Sequence, residues 1–279
     1  MLAKNLALVS QSHTVTADHL NEVAAAIQKQ VTRDVEPIWG VKATINVFKN
    51  LKSVPTGYWP VVIKDNIHQA GAGGYHSKKH NQPFAVIQAG SDWILSTGHE
   101  VLEMLIDPWG NQTVTADSIK PGQGRVMYLL EACDPCEAGQ FAYTINGITV
   151  SDFITPHYHD PVAASSVRYS FTGSIKQPRE ILAGGYLSWF DPESQQIWQA
   201  INRGAGLEFR DLGSSPGGFS LRHYVDLQMR LKPVFPDGYS TGIADNKIFG
   251  NTSVEAREKS SSAAANIWEE DIKSVEQQY

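Results

Sequence analysis

The segment from Asp92 to Ile106 constrains this chain more than any other. It has the apolar content of a core helix, yet it carries three ionisable side chains, His99, Glu100 and Glu103, in its middle. Ile94, Leu95, Val101, Leu102, Leu105 and Ile106 fit a well-buried helix. Asp107-Pro108 ends it, because a proline disfavours helical geometry in the residue before it. Charge buried in such a helix is costly unless a cation or an oppositely charged partner meets it. The fold must therefore bury this helix and also bring compensating groups to it.

Residues four apart stack on one helix face, so the His99 ring and the Glu103 carboxylate can converge on one cation. This is the geometry of His-Glu-x-x-His zinc helices, with a carboxylate in place of the second imidazole. Glu100 would then sit beside the metal, where a carboxylate can accept a proton from bound water. A catalytic zinc uses three protein groups plus water, so a third ligand is needed. The acidic cluster Glu131-Ala-Cys-Asp134 directly follows the apolar run Val126 to Leu130. Either Glu131 or Asp134 is the natural third ligand, with the other holding the far ring nitrogen of His99. Asp107, eight residues after His99, could also ligate, or could simply close the Asp-Pro turn.

Elsewhere the chain alternates helix and strand signals. Thr16 or Asp18 can cap a helix in which Leu20, Val23, Ala24, Ile27 and Val31 share a face. Strands are expected at 43–48 and 58–63, separated by the turn-rich 52–57, and again at 84–88. The glycines of 69–74 lack the spacing of a phosphate-binding loop and read as a connection. Further strands fit 124–130, 142–145 and 148–154, the last two joined by the hairpin signal Asn146-Gly147. Residues 1–204 form one domain on this reading. Beyond it the chain turns rich in Gly, Ser and Pro, and 205–279 reads as an extended or flexible arm that needs a neighbour to order it.

Composition narrows the partners. With 23 Lys and Arg against 29 Asp and Glu, the net charge of −6 offers no broad basic face to nucleic acid. No stretch reaches the roughly 18 apolar residues of a membrane span, and Met1–Ser10 is too short an apolar run for a secretory signal. The expected location is cytoplasmic or virion-associated. Cys133 and Cys136 fit packing thiols or a local disulfide; a structural zinc site shared with His157 and His159 has the wrong histidine spacing. His157, His159, Tyr75 and His76 are candidate cleft residues. Trp189, Phe190, Trp198, Phe209 and Tyr224 fit a core or an interface.

Taken in order, Ser96-Thr-Gly-His-Glu-Val-Leu-Glu-Met-Leu-Ile-Asp-Pro108, Glu131-Ala-Cys-Asp-Pro-Cys-Glu137, Val150-Ser-Asp-Phe-Ile-Thr-Pro156 and Gly184-Gly-Tyr186 resemble a group of bacterial and phage-encoded zincin-like proteins. That group shares His-Glu-x-x-Glu-Met-x-x-Asp-Pro followed by Glu-x-Cys-Asp, and the resemblance spans roughly residues 15–200. It implies an α+β, metallopeptidase-like domain with a twisted mixed sheet, a backing helix at 17–32, an edge strand along the cleft at 84–88 and an active-site helix at 93–106. It also implies His99, Glu103 and Glu131 as metal ligands, with Glu100 as general base. Glu103 in place of histidine tilts the site away from strict zinc preference.

The expectation is a metal-dependent hydrolase, a zinc peptidase using one divalent ion on a peptide or protein substrate. The alternative is a non-catalytic structural or assembly protein, such as a phage virion component, that keeps the fold and meets its own copies through 205–279.

Overall fold

The N-terminal apolar run Leu6-Ala-Leu-Val9 is buried on both sides, which suits the middle of a parallel sheet. It forms β1 (Lys4–Ser10). The computed structural model describes residues 2–69, 71–79, 81–214 and 220–231. So short an apolar run shows no period by which a sequence can be assigned to strand or helix, and β1 has no counterpart among the strands expected above.

Helix α1 (Ala17–Gln30) follows, capped by the Thr16 side chain accepting from the His19 N–H. The helical path continues through a π turn at Val31–Val35 into the short α2 (Glu36–Trp39), rather than ending at 32. Strand β2 (Ala43–Phe48) pairs parallel with one side of β1, and β3 (Tyr58–Lys64) pairs parallel with the other. Strand β4 (Gly74–Lys79) forms a hairpin with β5 (Gln82–Gln88), and β5 runs parallel to β3. The order across this first sheet is β2-β1-β3-β5-β4. The strand at 84–88 is therefore interior, because β4 covers it. The edge belongs to 74–79, whose outer end carries Lys78 and Lys79, residues that discourage further pairing.

Alternation along these strands divides the core. Leu6, Leu8, Ile63 and Ile87 face α1 and α3 (Trp93–Ile106), whereas Ala7, Val9, Val62 and Val86 face a smaller cluster with Leu51, Val54 and Tyr75. Helix α3 starts and stops where its sequence indicates. It lies against β4 and β5, and all but two of its residues are buried.

The second sheet is an antiparallel meander of β6 (Thr113–Asp117), β7 (Arg125–Leu129), β10 (Tyr186–Asp191), β11 (Gln196–Asn202) and β12 (Leu207–Gly213), in the order β12-β11-β10-β7-β6. Between β7 and β10 a hairpin of β8 (Tyr143–Ile145) and β9 (Ile148–Val150) turns at Asn146-Gly147, both with positive φ. The last described element is α4 (Leu221–Leu231). An arm starting at 205 is thus incorrect over 207–213 and 221–231. Residues 207–213 complete the sheet, with Phe209 edge-on to Trp189, and Tyr224 and Val225 of α4 pack with Leu129, Ile197 and Leu212. The arm expected over 232–279 lies outside the described residues. Trp189 is fully buried. No helix among the described residues is long and apolar enough to cross a membrane.

Residues 156–159 form a 3-10 turn that carries His159 into the core against Tyr128 and Tyr158, ring centroids 5.7 and 5.0 Å away. Neither of its ring nitrogens has a hydrogen-bond partner. Burial, reinforced by Arg179, pushes its pKa down to about 4. A neutral His159 costs nothing above its unfolded pKa near 6.5, and the penalty grows as pH falls towards 4, to roughly 3 kcal/mol at one pKa unit per 1.4 kcal/mol. Urea melts at pH 7 and pH 4 should show His159→Leu losing about that much less stability between the two than wild type. Equal losses would place the acid sensitivity elsewhere.

Candidate metal centre

Helix α3 presents His99, Glu100 and Glu103 in consecutive turns, and each of the three is buried. Glu103 is wholly inaccessible, 0% exposed, so every compensating group must come from the protein or from an ion held by it. Three other parts of the chain meet it there.

The first is the segment leaving β7. Glu131 lies two residues beyond the strand, and Asp134 opens a 3-10 turn, Asp134–Cys136. The Cys133 N–H donates to Glu103 Oε1 at 3.0 Å, which ties this turn to the helix. The His99 Nε2 atom lies 3.2 Å from Glu103 Oε2 and 3.2 Å from Asp134 Oδ1. One ring nitrogen carries at most one proton, so a proton there can serve only one of these oxygens at a time.

The second is β4. Its alternation sends Tyr75 into the small cluster on the far face of the sheet and His76 toward α3. His76 Nδ1 lies 3.1 Å from Glu100 Oε2 and 3.9 Å from Glu103 Oε2. The third is α4. Arg222 Nη1 donates to Glu103 Oε2 at 3.0 Å, pairs closely with Glu131 Oε2 and lies 4.0 Å from Asp134 Oδ2, while its Nε donates to Asp226 Oδ1 at 2.9 Å.

The balance of charge follows. Burial pushes Glu103 up, but His99 and Arg222 outweigh it and hold its pKa well below the usual carboxylate range. Burial pulls His99 down, and Glu103 with Asp134 raises it well above an ordinary histidine. Burial pushes Glu131 well up, and the pull of Arg222 is not enough to reverse it, because Glu103 and Asp134 add repulsion. Burial and Glu103 together push Asp134 up to about 6. The cluster is short of positive charge: its carboxylates outnumber the cations that face them. Glu131 Oε1 is a buried oxygen with no hydrogen-bond partner.

Buried groups able to hold a metal ion are therefore present. Donor atoms within 4.8 Å of one another occur in the sets Glu103, Glu131 and Asp134; His99, Asp134 and Glu137; His99, Glu103 and Cys133; and His76, Glu100 and Glu103. Of the residues singled out from sequence, His99, Glu100, Glu103, Glu131, Asp134 and His76 are brought together. Asp107 closes the turn after α3, where its Oδ2 accepts from the Gln112 N–H at 2.8 Å, and its Oδ1 is buried without a hydrogen-bond partner. His157 is exposed and pairs with Asp160, and Tyr75 and His159 sit in apolar surroundings. Cys133 and Cys136 are buried free thiols, and burial raises both well above the usual thiol pKa. Arg222, Asp226 and Glu137 join the cluster without being singled out by the sequence. The Arg222-Asp226 spacing of four residues beside Tyr224 and Val225 is the signal that marks a helix there.

No family model, curated protein or solved structure matches the chain.

The turn bearing Asp134 is seated by backbone contact. The Leu182 N–H donates to the Pro135 carbonyl at 2.9 Å, and a Cβ at Gly185 would fall 2.6 Å from that oxygen and 2.7 Å from the Asp134 carbonyl. Only a residue without a side chain allows that approach. Gly185→Ala should push the turn off α3 and lower stability by about 1–3 kcal/mol, the usual cost of overpacking. Thermal and urea unfolding measure this, and an unchanged midpoint would mean that the turn tolerates displacement.

Proposed function

We propose that this chain is a metal-dependent hydrolase that holds one divalent ion, zinc foremost, through His99, Glu103 and Asp134, and that it cleaves peptide bonds. The observation that carries the reading is the pair of 3.2 Å separations from His99 Nε2 to the two carboxylate oxygens. Donors about 2.0–2.1 Å from a tetrahedral ion lie about 3.3 Å apart, so each of the two separations matches the span of two ligands on one ion. The cluster's shortage of positive charge and the orphaned Glu131 oxygen support the same conclusion.

Glu131 belongs in the reading as a neighbour of the ligands more than as a ligand, since its closest partner is Arg222. Asp134, on the His99 side, takes the third position. A bound divalent ion would supply Lewis acidity, lowering the pKa of water and polarising a carbonyl. Glu100 is one residue along the helix from His99 and has one oxygen engaged by His76, so it is oriented to take a proton from water and return it to a leaving amine. The position of β4 at the edge of the sheet, among the described strands and beside α3, supports an extended peptide as substrate, because a peptide can add as a further strand at a sheet edge away from Lys78 and Lys79. The zincin-like resemblance of the motifs supports His99 and Glu103 as ligands, Glu100 as base and α1 as backing helix, while this reading puts Asp134 in place of Glu131 as third ligand and β4 in place of 84–88 as edge strand.

One observation favours the non-catalytic reading. Arg222 already pairs with Glu103 and Glu131, so a protein of structural or assembly function, a virion component included, could keep the cluster as a buried ion-pair network without metal.

Elemental analysis of protein dialysed after zinc loading should find one ion per chain in wild type and Glu100→Gln, and none in His99→Ala or Asp134→Ala. Glu100→Gln should lose about 10²–10⁴-fold in hydrolysis of a peptide library while keeping its metal, the range for removing a general base. A wild type that takes up no metal supports the ion-pair network and ends the hydrolase reading.

A further inference from the structure

Arg222 stands among the same three carboxylates, Glu103, Glu131 and Asp134, whose oxygens converge closely enough to hold an ion. Its guanidinium is almost entirely buried, and its charge is delivered from the far end of the described chain. Glu103 Oε2 is the contested atom: it lies 3.2 Å from His99 Nε2 and accepts from Arg222 Nη1 at 3.0 Å. An ion bound to His99 and Glu103 would face the guanidinium across a single oxygen, in surroundings where like charges repel strongly.

The rest of α4 is arranged to keep Arg222 there. Its backbone N–H donates to the Gly110 carbonyl at 3.1 Å, and Gly110, at φ +60°, has no Cβ that would meet the Arg222 Cβ at 2.9 Å. Asp226, one turn later, holds Nε. The Tyr224 hydroxyl donates to the Leu212 carbonyl at 2.8 Å, which joins the helix to β12. The apolar seat sets Tyr224 and Val225, with Leu221 and Met229, against Leu129, Phe190, Ile197 and Leu212.

We infer that Arg222 is a tethered cation competing with the metal for Glu103, with Glu131 holding the guanidinium in place, so that α4 latches the centre and metal entry loosens the latch. This rests on the metal reading above. Linkage makes the two effects reciprocal: α4 docking weakens ion binding by the same factor by which the ion weakens docking. The device gives the centre two states, one neutralised from within the chain and one neutralised by an ion.

Zinc titration of the full chain against a chromophoric chelator, paired with amide exchange across 221–226, tests this. Arg222→Gln should bind zinc more tightly than wild type, by about 5–150-fold, the usual span of such couplings. Asp226→Asn, which loosens the guanidinium without touching Glu103, Glu131 or Asp134, should move affinity in the same direction. In wild type, zinc should speed exchange of 221–226 and expose the Arg222-His223 bond to trypsin. Equal or weaker zinc binding by Arg222→Gln, or slower exchange of 221–226 on adding zinc to wild type, overturns the latch while leaving the metal centre intact. The exchange arm needs no variant, so a misfolded substitution does not remove the test. Absence of His99-dependent zinc binding in wild type and both variants removes the metal reading, and the latch with it.

Discussion

The carboxylate of Glu103, enclosed at zero exposure, sets the terms on which the rest of this protein is built. One of its oxygens accepts from the Cys133 N–H, and the other faces His99 and Arg222, with His76 at 3.9 Å. A charge so placed would be prohibitive alone. Each partner comes from a different part of the chain, and together they dictate how the parts must meet: the first sheet supplies His76, the segment after β7 supplies Cys133 and Asp134, and α4 supplies Arg222. The two sheets are tied to each other by this polar centre as well as by apolar packing.

That arrangement explains why the surroundings of α3 are so closely fitted. The helix has Ile87 and Ala85 of β5 beneath it, and its C-terminal end is fixed by Asp107 and Pro108. The turn at 133–136 can reach Glu103 only because Gly185 lets backbone approach backbone. Misplacing any of these elements would leave an unpaired buried charge, and removing one partner of such a pair costs far more than the pair gains. Folding and assembly of the site are the same event.

Much of this was legible in the sequence. Strands β2, β3 and β7, helices α1 and α3 and the Asn146-Gly147 hairpin follow from alternation, helical period, capping and turn chemistry, all of which are local. His99, Glu100 and Glu103 were legible because they interrupt an apolar helix, and Asp134 because it follows a buried strand. What escaped depends on tertiary context. Strand β1 carries no period because both its faces are covered. Strand β4 reads as two aromatic rings and two lysines beside a glycine-rich stretch, and its edge position follows only from pairing with β5. Arg222 lies 119 residues from Glu103, in a region whose composition suggests an arm, and nothing local announces that its guanidinium goes inward.

The proposed ion sits among His99, Glu103 and Asp134. The direct measurement is an anomalous difference map at the zinc absorption edge from crystals of the full chain grown with zinc. A bound ion should give a single strong peak within bonding distance of His99 Nε2, Glu103 Oε2 and Asp134 Oδ1, with Arg222 withdrawn from Glu103. A map without a peak there, with Arg222 still bonded to Glu103 and Glu131 at saturating zinc, would contradict it.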